Sequence, residues 1–211
     1  MVQTDVLIIG SGVAGLTYAI KTAERNPDAK ILVVTKNQIM ESNTKYAQGG
    51  IATVWADSDS FESHIEDTMR AGAYLNDEEV VRMVVEEAPE KLKELIAWGA
   101  EFDKKQNGEY DLGKEGGHEA NRILHHKDIT GYEIERALVD KVNAATNIEV
   151  LEYHYAVDLI TDHHLGKHIT RQSDNNCYGA YVLSQKSGAL KRINAKVTLL
   201  AAGGAGQVYG H

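Results

Sequence analysis

A chain of 211 residues holds one full domain, or one and part of another. Its 31 acidic and 22 basic residues give a formal charge of −9 with no basic block, which argues against nucleic acid or an anionic membrane surface as partner. No apolar run reaches the roughly 18 residues of a membrane-spanning helix, and Met1-Val-Gln-Thr-Asp5 lacks a charged leader, so a cytoplasmic setting is expected. Cys177 has no second cysteine to pair with, in keeping with a reducing compartment, and its neighbours offer no base, so it reads as structural.

The first element is a strand over 6–9, running into Gly10-Ser11-Gly12-Val13-Ala14-Gly15 and then a helix over 16–24. This order fits a dinucleotide-binding turn. Gly10 permits the turn, Gly12 lets a pyrophosphate approach, Gly15 brings helix and strand together, and the helix N-terminus offers N–H groups to phosphates. A second strand over 31–34 completes a βαβ unit. That strand ends in Thr35-Lys36, where an acidic residue usually holds the ribose. A lysine there suits the 2′-phosphate of NADP, and suits equally a flavin dinucleotide held another way.

The polar segment over 37–59 is long for an idle loop. Ser60 is placed to cap a helix over 61–73, and Asn76 or Asp77 to cap another over 78–98. In the latter, Val80, Val81, Val84, Val85, Leu92, Leu95 and Ile96 form a stripe expected to be buried, Pro89 is expected to kink or interrupt the helix, and Gly99 to stop it. Residues 101–127 carry turn glycines and allow a small hairpin. Thr130 is placed to cap a helix over 131–144, whose Ile134, Ala137, Leu138 and Val142 share one face. Strands follow over 149–153, 156–161, 178–185 and 193–202, the last two joined at Ser187-Gly188. His163, His164 and His168 between two of these strands read as a solvated turn, lacking a clear metal-ligand set. The fold class is α/β: a Rossmann-like domain with a mostly parallel sheet, inserted helices and an antiparallel hairpin or meander.

Ser42-Asn43-Thr44-Lys45-Tyr46-Ala47-Gln48-Gly49-Gly50 closely resembles the loop after the second strand in the flavoprotein family of fumarate reductases, succinate dehydrogenases and L-aspartate oxidases. Trp98-Gly-Ala-Glu-Phe-Asp103, Arg122-Ile-Leu-His-His-Lys-Asp-Ile-Thr-Gly131 and Leu199-Leu-Ala-Ala-Gly-Gly-Ala-Gly206 resemble further family segments in the same order. The resemblance implies FAD. Its pyrophosphate would lie on residues 10–15, Thr35 and Lys36 near the adenosine, residues 42–50 along the pyrophosphate and ribityl chain, Ala156 and Val157 at the adenine, and Ala202, Gly203 and Gly204 beside the flavin. His125 and His126 fall in the second of these segments, where a packing or hydrogen-bonding role is expected.

Two positions divide the family. Where some members attach FAD through a histidine, this chain has Asn43, so the resemblance implies noncovalent FAD, as in the L-aspartate oxidase branch. Leu112-Gly-Lys-Glu-Gly-Gly-His118 is similar to that branch, whose matching glutamate faces the substrate amine; Glu115 is then the substrate-binding residue, with His118 no more than a supporting group. The implied reaction is two-electron oxidation of L-aspartate to iminoaspartate, with oxygen (giving hydrogen peroxide) or fumarate as acceptor, and hand-off to quinolinate synthase on the route to NAD. The family's pattern further implies that residues 1–211 are an incomplete N-terminal FAD-binding domain. The substrate-capping and helical C-terminal domains, which carry the catalytic arginine and the substrate-carboxylate ligands, would lie elsewhere, so no catalytic residue is assigned and the 211 residues alone are expected to be inactive. The alternatives are a fumarate reductase or succinate dehydrogenase flavoprotein subunit, and a noncatalytic flavin-binding module.

Overall fold

The computed structural model describes residues 2–204, which fall into two compact units: 2–43 with 138–204, and 44–137.

The first unit is built on β1 (Val2–Ile9), α1 (Val13–Arg25) and β2 (Ile31–Val34). Its remaining strands are β6 (Ile148–Leu151), β7 (His154–Thr161), β8 (Cys177–Ser184) and β9 (Leu190–Leu200). The strand order is β6-β2-β1-β9-β8-β7, parallel from β6 to β9 and antiparallel from β9 to β7. This is the mixed sheet expected from the pattern. β9 belongs to both parts: Leu190–Asn194 pairs with β8, while Ile193–Leu200 runs beside β1.

All four residues of β2 are buried, as are Val6 to Ile9 of β1, and so the apolar run is continuous rather than alternating. On one face Leu7, Ile9, Leu32 and Val34 pack with Ala180, Val182 and Ile193 of the meander. α1 buries Leu16, Ala19 and Ile20, its apolar stripe at helical spacing. A two-residue turn at Glu152-Tyr153, with Tyr153 at φ +55°, leads from β6 into β7.

Most of the second unit's elements are short. A single 3-10 turn at Thr44–Tyr46 precedes β3 (Ile51–Ala52) and the helices α2 (Phe61–Ala71) and α3 (Glu78–Ala97); β4 (Leu112–Gly113) and β5 (Ile123–Leu124) follow. The three strands form an antiparallel sheet in the order β3-β5-β4. α4 (Thr130–Ala144) leads back to the first unit. Leu92, Ala100, Phe102, Leu124 and Ala137 form one core of this unit, and Ile65, Met69 and Val85 a smaller one.

Three expectations are corrected. Pro89 does not interrupt α3, because proline removes one N–H and leaves the flanking turns able to bond. The expected stripe on α3 is only partly buried: Val85 and Leu92 are covered, but Val80 and Val84 are about half exposed, since α2 contacts a narrower face than the pattern offers. Thr130 is the first helical residue of α4 rather than its cap; its hydroxyl accepts from His126 N at 3.0 Å. Ser60 and Asp77 do cap their helices, Ser60 accepting from Ser63 N and Asp77 from the N–H groups of Glu79 and Val80. Ile134, Ala137, Leu138 and Val142 are buried as expected, and Gly99 ends α3 at φ +102°.

Candidate functional site

In the first unit, Gly10 takes φ +113°, and a Cβ there would lie 2.1 Å from the Ala201 carbonyl oxygen. A Cβ on Gly15 would lie 2.1 Å from the Gly10 carbonyl oxygen. Both positions thus exclude any side chain. The turn is fastened by Gly10 N donating to Val34 O at 2.9 Å and by the buried Ser11 hydroxyl donating to Thr35 Oγ1 at 3.0 Å. Thr35 therefore acts within the fold, bracing the glycine turn, and its backbone bonds Leu151 and His154.

Gly12 caps α1 in extended conformation with no side-chain cap, and the first turn holds no acidic residue. Val13 and Ala14 are exposed. A helix start with no side-chain cap and positive partial charge is the arrangement that receives a phosphate. Ala201 N donates to Ile9 O at 2.8 Å, so the chain leaving β9 as Ala202, Gly203 and Gly204 emerges beside this turn, all three exposed. The last two residues of the quoted glycine segment, Ala205 and Gly206, lie outside the described residues.

Ser42, Asn43, Lys36, Ala156 and Val157, which the family resemblance singled out, also lie in this unit. Ser42 Oγ is buried without a hydrogen-bond partner, an orphaned hydroxyl that a polar ligand would satisfy. Asn43 is exposed and Lys36 is exposed, with the Lys36 carbonyl accepting from Gln185 Nε2. Ala156 pairs with Val182, but Val157 is an unpaired bulge residue, 54% exposed, as bulges often are beside binding sites.

In the second unit, residues 44–50 run as the 3-10 turn and an exposed stretch ending at β3. Gly131 at the start of α4 packs on this segment: its N–H donates to Ala47 O at 2.8 Å, and a Cβ would lie 1.9 Å from Thr44 O. Gly49 faces open space, which suits close approach of a ligand. Gly50 has a different reason to be glycine, since a Cβ there would lie 2.3 Å from Leu124 O on β5.

Glu115 stands on the turn between β4 and β5, exposed, and its carboxylate has no hydrogen bond or ion pair among the described residues. The turn behind it is heavily tied. Arg122 is fully buried: Nε and Nη2 donate to the two Asp59 oxygens at 2.9 and 2.8 Å, Nη2 also to Ser63 Oγ at 3.0 Å, and Nη1 to Asp67 Oδ2 at 2.9 Å. Burial pushes the Asp67 carboxyl up, but the Glu119 N–H, Arg122 and Arg70 together hold it below the usual value. The His64 and His118 rings meet edge to face at 5.9 Å, each with a buried Nδ1 that has no partner. Burial lowers the His64 pKa, with Arg122 and His118 adding to it.

The sequence reading gave no role to Asp59, Ser63 or Asp67. Its available signal was that Ser63 and Asp67 lie one turn apart, and so on one face, of a helix that begins just after Asp59. His125 and His126 hold backbone and Asp103, as expected: His126 Nδ1 lies 3.0 Å from Glu101 O and His125 Nδ1 3.2 Å from Asp103. His163 and His164 lie in a 3-10 turn (Asp162–Leu165) whose Asp162 is buried, accepting from Lys167, Asn176 and Tyr178. No cluster of metal-ligating side chains occurs among the described residues.

A family model described as an FAD binding domain matches residues 5–211. The chain belongs to this family. Among named proteins it is 47% identical over 205 residues to a chloroplastic L-aspartate oxidase of Oryza sativa subsp. japonica, covering 97% of this chain and 30% of that protein. An L-aspartate oxidase of Vibrio cholerae is 43% identical over 212 residues, covering 98% of this chain and 38% of that protein. Among solved structures, an E. coli quinol fumarate reductase superposes with a TM-score of 0.87 at 31% identity, covering 98% of this chain and 34% of that one. The FAD-binding chain thus spans about a third of the length of these relatives. Among its described residues no helix is long and apolar enough to cross a membrane.

Proposed function

We propose that this chain is the FAD-binding part of an L-aspartate oxidase, an FAD-dependent oxidoreductase acting on a CH–NH2 group. The observation that carries the substrate choice is the partnerless Glu115 carboxylate, presented on a glycine turn, in a chain 43–47% identical to L-aspartate oxidases. Placed about 4 Å from a substrate ammonium, such a carboxylate attracts it, the more strongly the less solvent reaches the pair. A dicarboxylate lacking the amine gains nothing from it.

The residues present fit FAD. Gly10, Gly12 and Gly15 leave room for a pyrophosphate at an uncapped helix start, Ser11 and Thr35 brace that turn, and Ser42 Oγ awaits a partner. Lys36, Ala156 and Val157 are proposed to face the adenosine, residues 43–50 the extended polar chain, and Ala202, Gly203 and Gly204 the flavin. Asn43 has no ring nitrogen, so attachment there would be noncovalent. Bound FAD supplies the two-electron acceptor for oxidation of the amine carbon. Glu115 orients the amine while it is charged and stabilises its position for reaction.

The product would be iminoaspartate, the acceptor oxygen or fumarate, and the consumer quinolinate synthase. The carboxylate ligands and the proton-transfer arginine are proposed to come from sequence that the relatives have and these 211 residues do not, so the 211 residues alone would bind FAD weakly and would not turn over aspartate. A cytoplasmic site of action belongs to the same proposal. The superposition on a fumarate reductase favours a second reading, a flavoprotein subunit acting on succinate or fumarate.

Anaerobic titration of the FAD-loaded enzyme separates the two. Bleaching of the flavin absorbance by L-aspartate but not succinate supports the oxidase; bleaching by succinate alone removes it. Acid precipitation should release all FAD to the supernatant, and retention in the pellet would contradict the role given to Asn43.

A further inference from the structure

The turn carrying Glu115 follows Gly113 at the end of β4 and contains Gly116 and Gly117, with Gly117 at φ +93°. Such a turn has many conformations open to it and would not by itself hold a side chain in one place. It is nevertheless fastened from behind at several points. Glu119 N donates to Asp67 Oδ2 at 2.8 Å, Arg70 Nη2 donates to Gly117 O at 3.3 Å, and Arg70 Nη1 to Glu119 Oε1 at 3.4 Å. Lys114 Nζ donates to Glu119 O at 3.0 Å, and Arg122 N to Gly113 O at 3.0 Å. Asp67 is the centre of this arrangement, since Arg122 and Arg70 both donate to it, at 2.9 and 2.5 Å.

Two buried carboxylates around a fully buried guanidinium are an expensive way to stabilise a core, which apolar residues of the same volume would serve as well or better. What these charges do that apolar side chains would not is fix main-chain groups of the glycine turn through directed bonds. Of the ionisable side chains on that turn, Lys114 and Glu119 are hydrogen-bonded, His118 packs edge to face on His64, and Glu115 is left outward.

We propose that Asp67, Arg70 and Arg122 are positioning residues: a charged clasp that holds the Glu115 turn at the place where a substrate amine is recognised. The inference rests on the reading of Glu115 as the ammonium partner. The clasp touches no substrate. It acts by restricting where the Glu115 backbone sits.

The test compares Glu115→Gln, Arg70→Gln and Asp67→Asn in the FAD-loaded enzyme at the full length its gene encodes. Arg70 is 45% exposed, so Arg70→Gln should fold with little change in melting temperature. It should raise the KM for L-aspartate about tenfold, as misplacement of a binding group does, with a smaller effect on the KM for fumarate. It should also speed amide exchange at His118 and Glu119. Glu115→Gln should show the same selective KM effect without the exchange change. If Glu115→Gln raises the aspartate KM while Arg70→Gln and folded Asp67→Asn do not, the positioning role is overturned and the amine reading stands. If Glu115→Gln has no effect, the amine reading fails, and unchanged exchange in Arg70→Gln then removes the clasp as well. Equal losses for aspartate and fumarate in Arg70→Gln would mark a merely structural contact.

Discussion

Ser42 and His64 each bury a polar atom without a hydrogen-bond partner, and each makes its own prediction. Ser42 Oγ is buried and unbonded in a loop proposed to face FAD. Without ligand it is an unsatisfied group whose removal relieves desolvation, so Ser42→Ala should leave ligand-free stability unchanged or raise it by about 1 kcal/mol. With FAD the hydroxyl gains a partner, and the same substitution should weaken FAD binding by about fivefold. Urea unfolding without FAD and fluorescence titration with it read the two effects separately. Loss of stability with unaltered FAD affinity would place Ser42 in the core instead. His64 responds to pH. Burial, Arg122 and His118 lower its pKa from 6.5, against the raising influence of Asp59 and Asp67. The folded state thus binds fewer protons than the unfolded state just below pH 6.5, so stability falls as pH drops from 6.5 toward the folded value and levels off below it. Above 6.5 both states are neutral at this site and nothing is lost. Melting curves from pH 8 to 5 should show a decline below about 6.5 that is shallower in His64→Gln; an identical slope would assign the decline to other groups.

At the level of elements, α3 tests how proline is accommodated. The helix runs unbroken from Glu78 to Ala97, yet Pro89 provides no N–H for the Val85 carbonyl. Pro89→Ala restores that bond and should raise the unfolding free energy by about 1–3 kcal/mol. A neutral result in denaturant unfolding would show that the helix has already relaxed around the ring. This element also shows where sequence reading loses its hold. Periodicity marked the apolar face of α3, but Val80 and Val84 remain exposed because burial depends on what a neighbour covers, and a single helix cannot report that. The βαβ unit was readable because its signals are local: β2 falls on 31–34 as expected, and the glycine turn requires the residue types it shows. Cap residues Ser60 and Asp77 were likewise legible from neighbours in sequence. Arg122 was not, because its partners Asp59 and Asp67, one just before α2 and one within it, lie more than fifty residues earlier and are brought close only by the fold. Gly131 was visible within a family segment, but its reason, the approach of Thr44 and Ala47, is equally nonlocal.

For the whole molecule, the open question left by Thr35-Lys36 becomes a measurable one. A lysine after the second strand suits either NADP or FAD, and nothing within the first βαβ unit separates them. Family membership assigns FAD, and the uncapped α1 start with the orphaned Ser42 hydroxyl fits that ligand. A ligand that binds only the folded state adds stability set by its concentration relative to its Kd, about 2.7 kcal/mol at a hundredfold excess. FAD should therefore raise the melting temperature of the protein in a concentration-dependent way, and NADP at the same concentrations should not. The increment should shrink in Lys36→Ala if that side chain meets the adenosine, while the ligand-free melting temperature stays put, since Lys36 is exposed. A rise with NADP equal to that with FAD would mean that the glycine turn reads only a pyrophosphate. Selectivity for the flavin would then have to come from residues 42–50 and 202–204, and substitutions there, rather than at Lys36, would be the ones that separate the two dinucleotides.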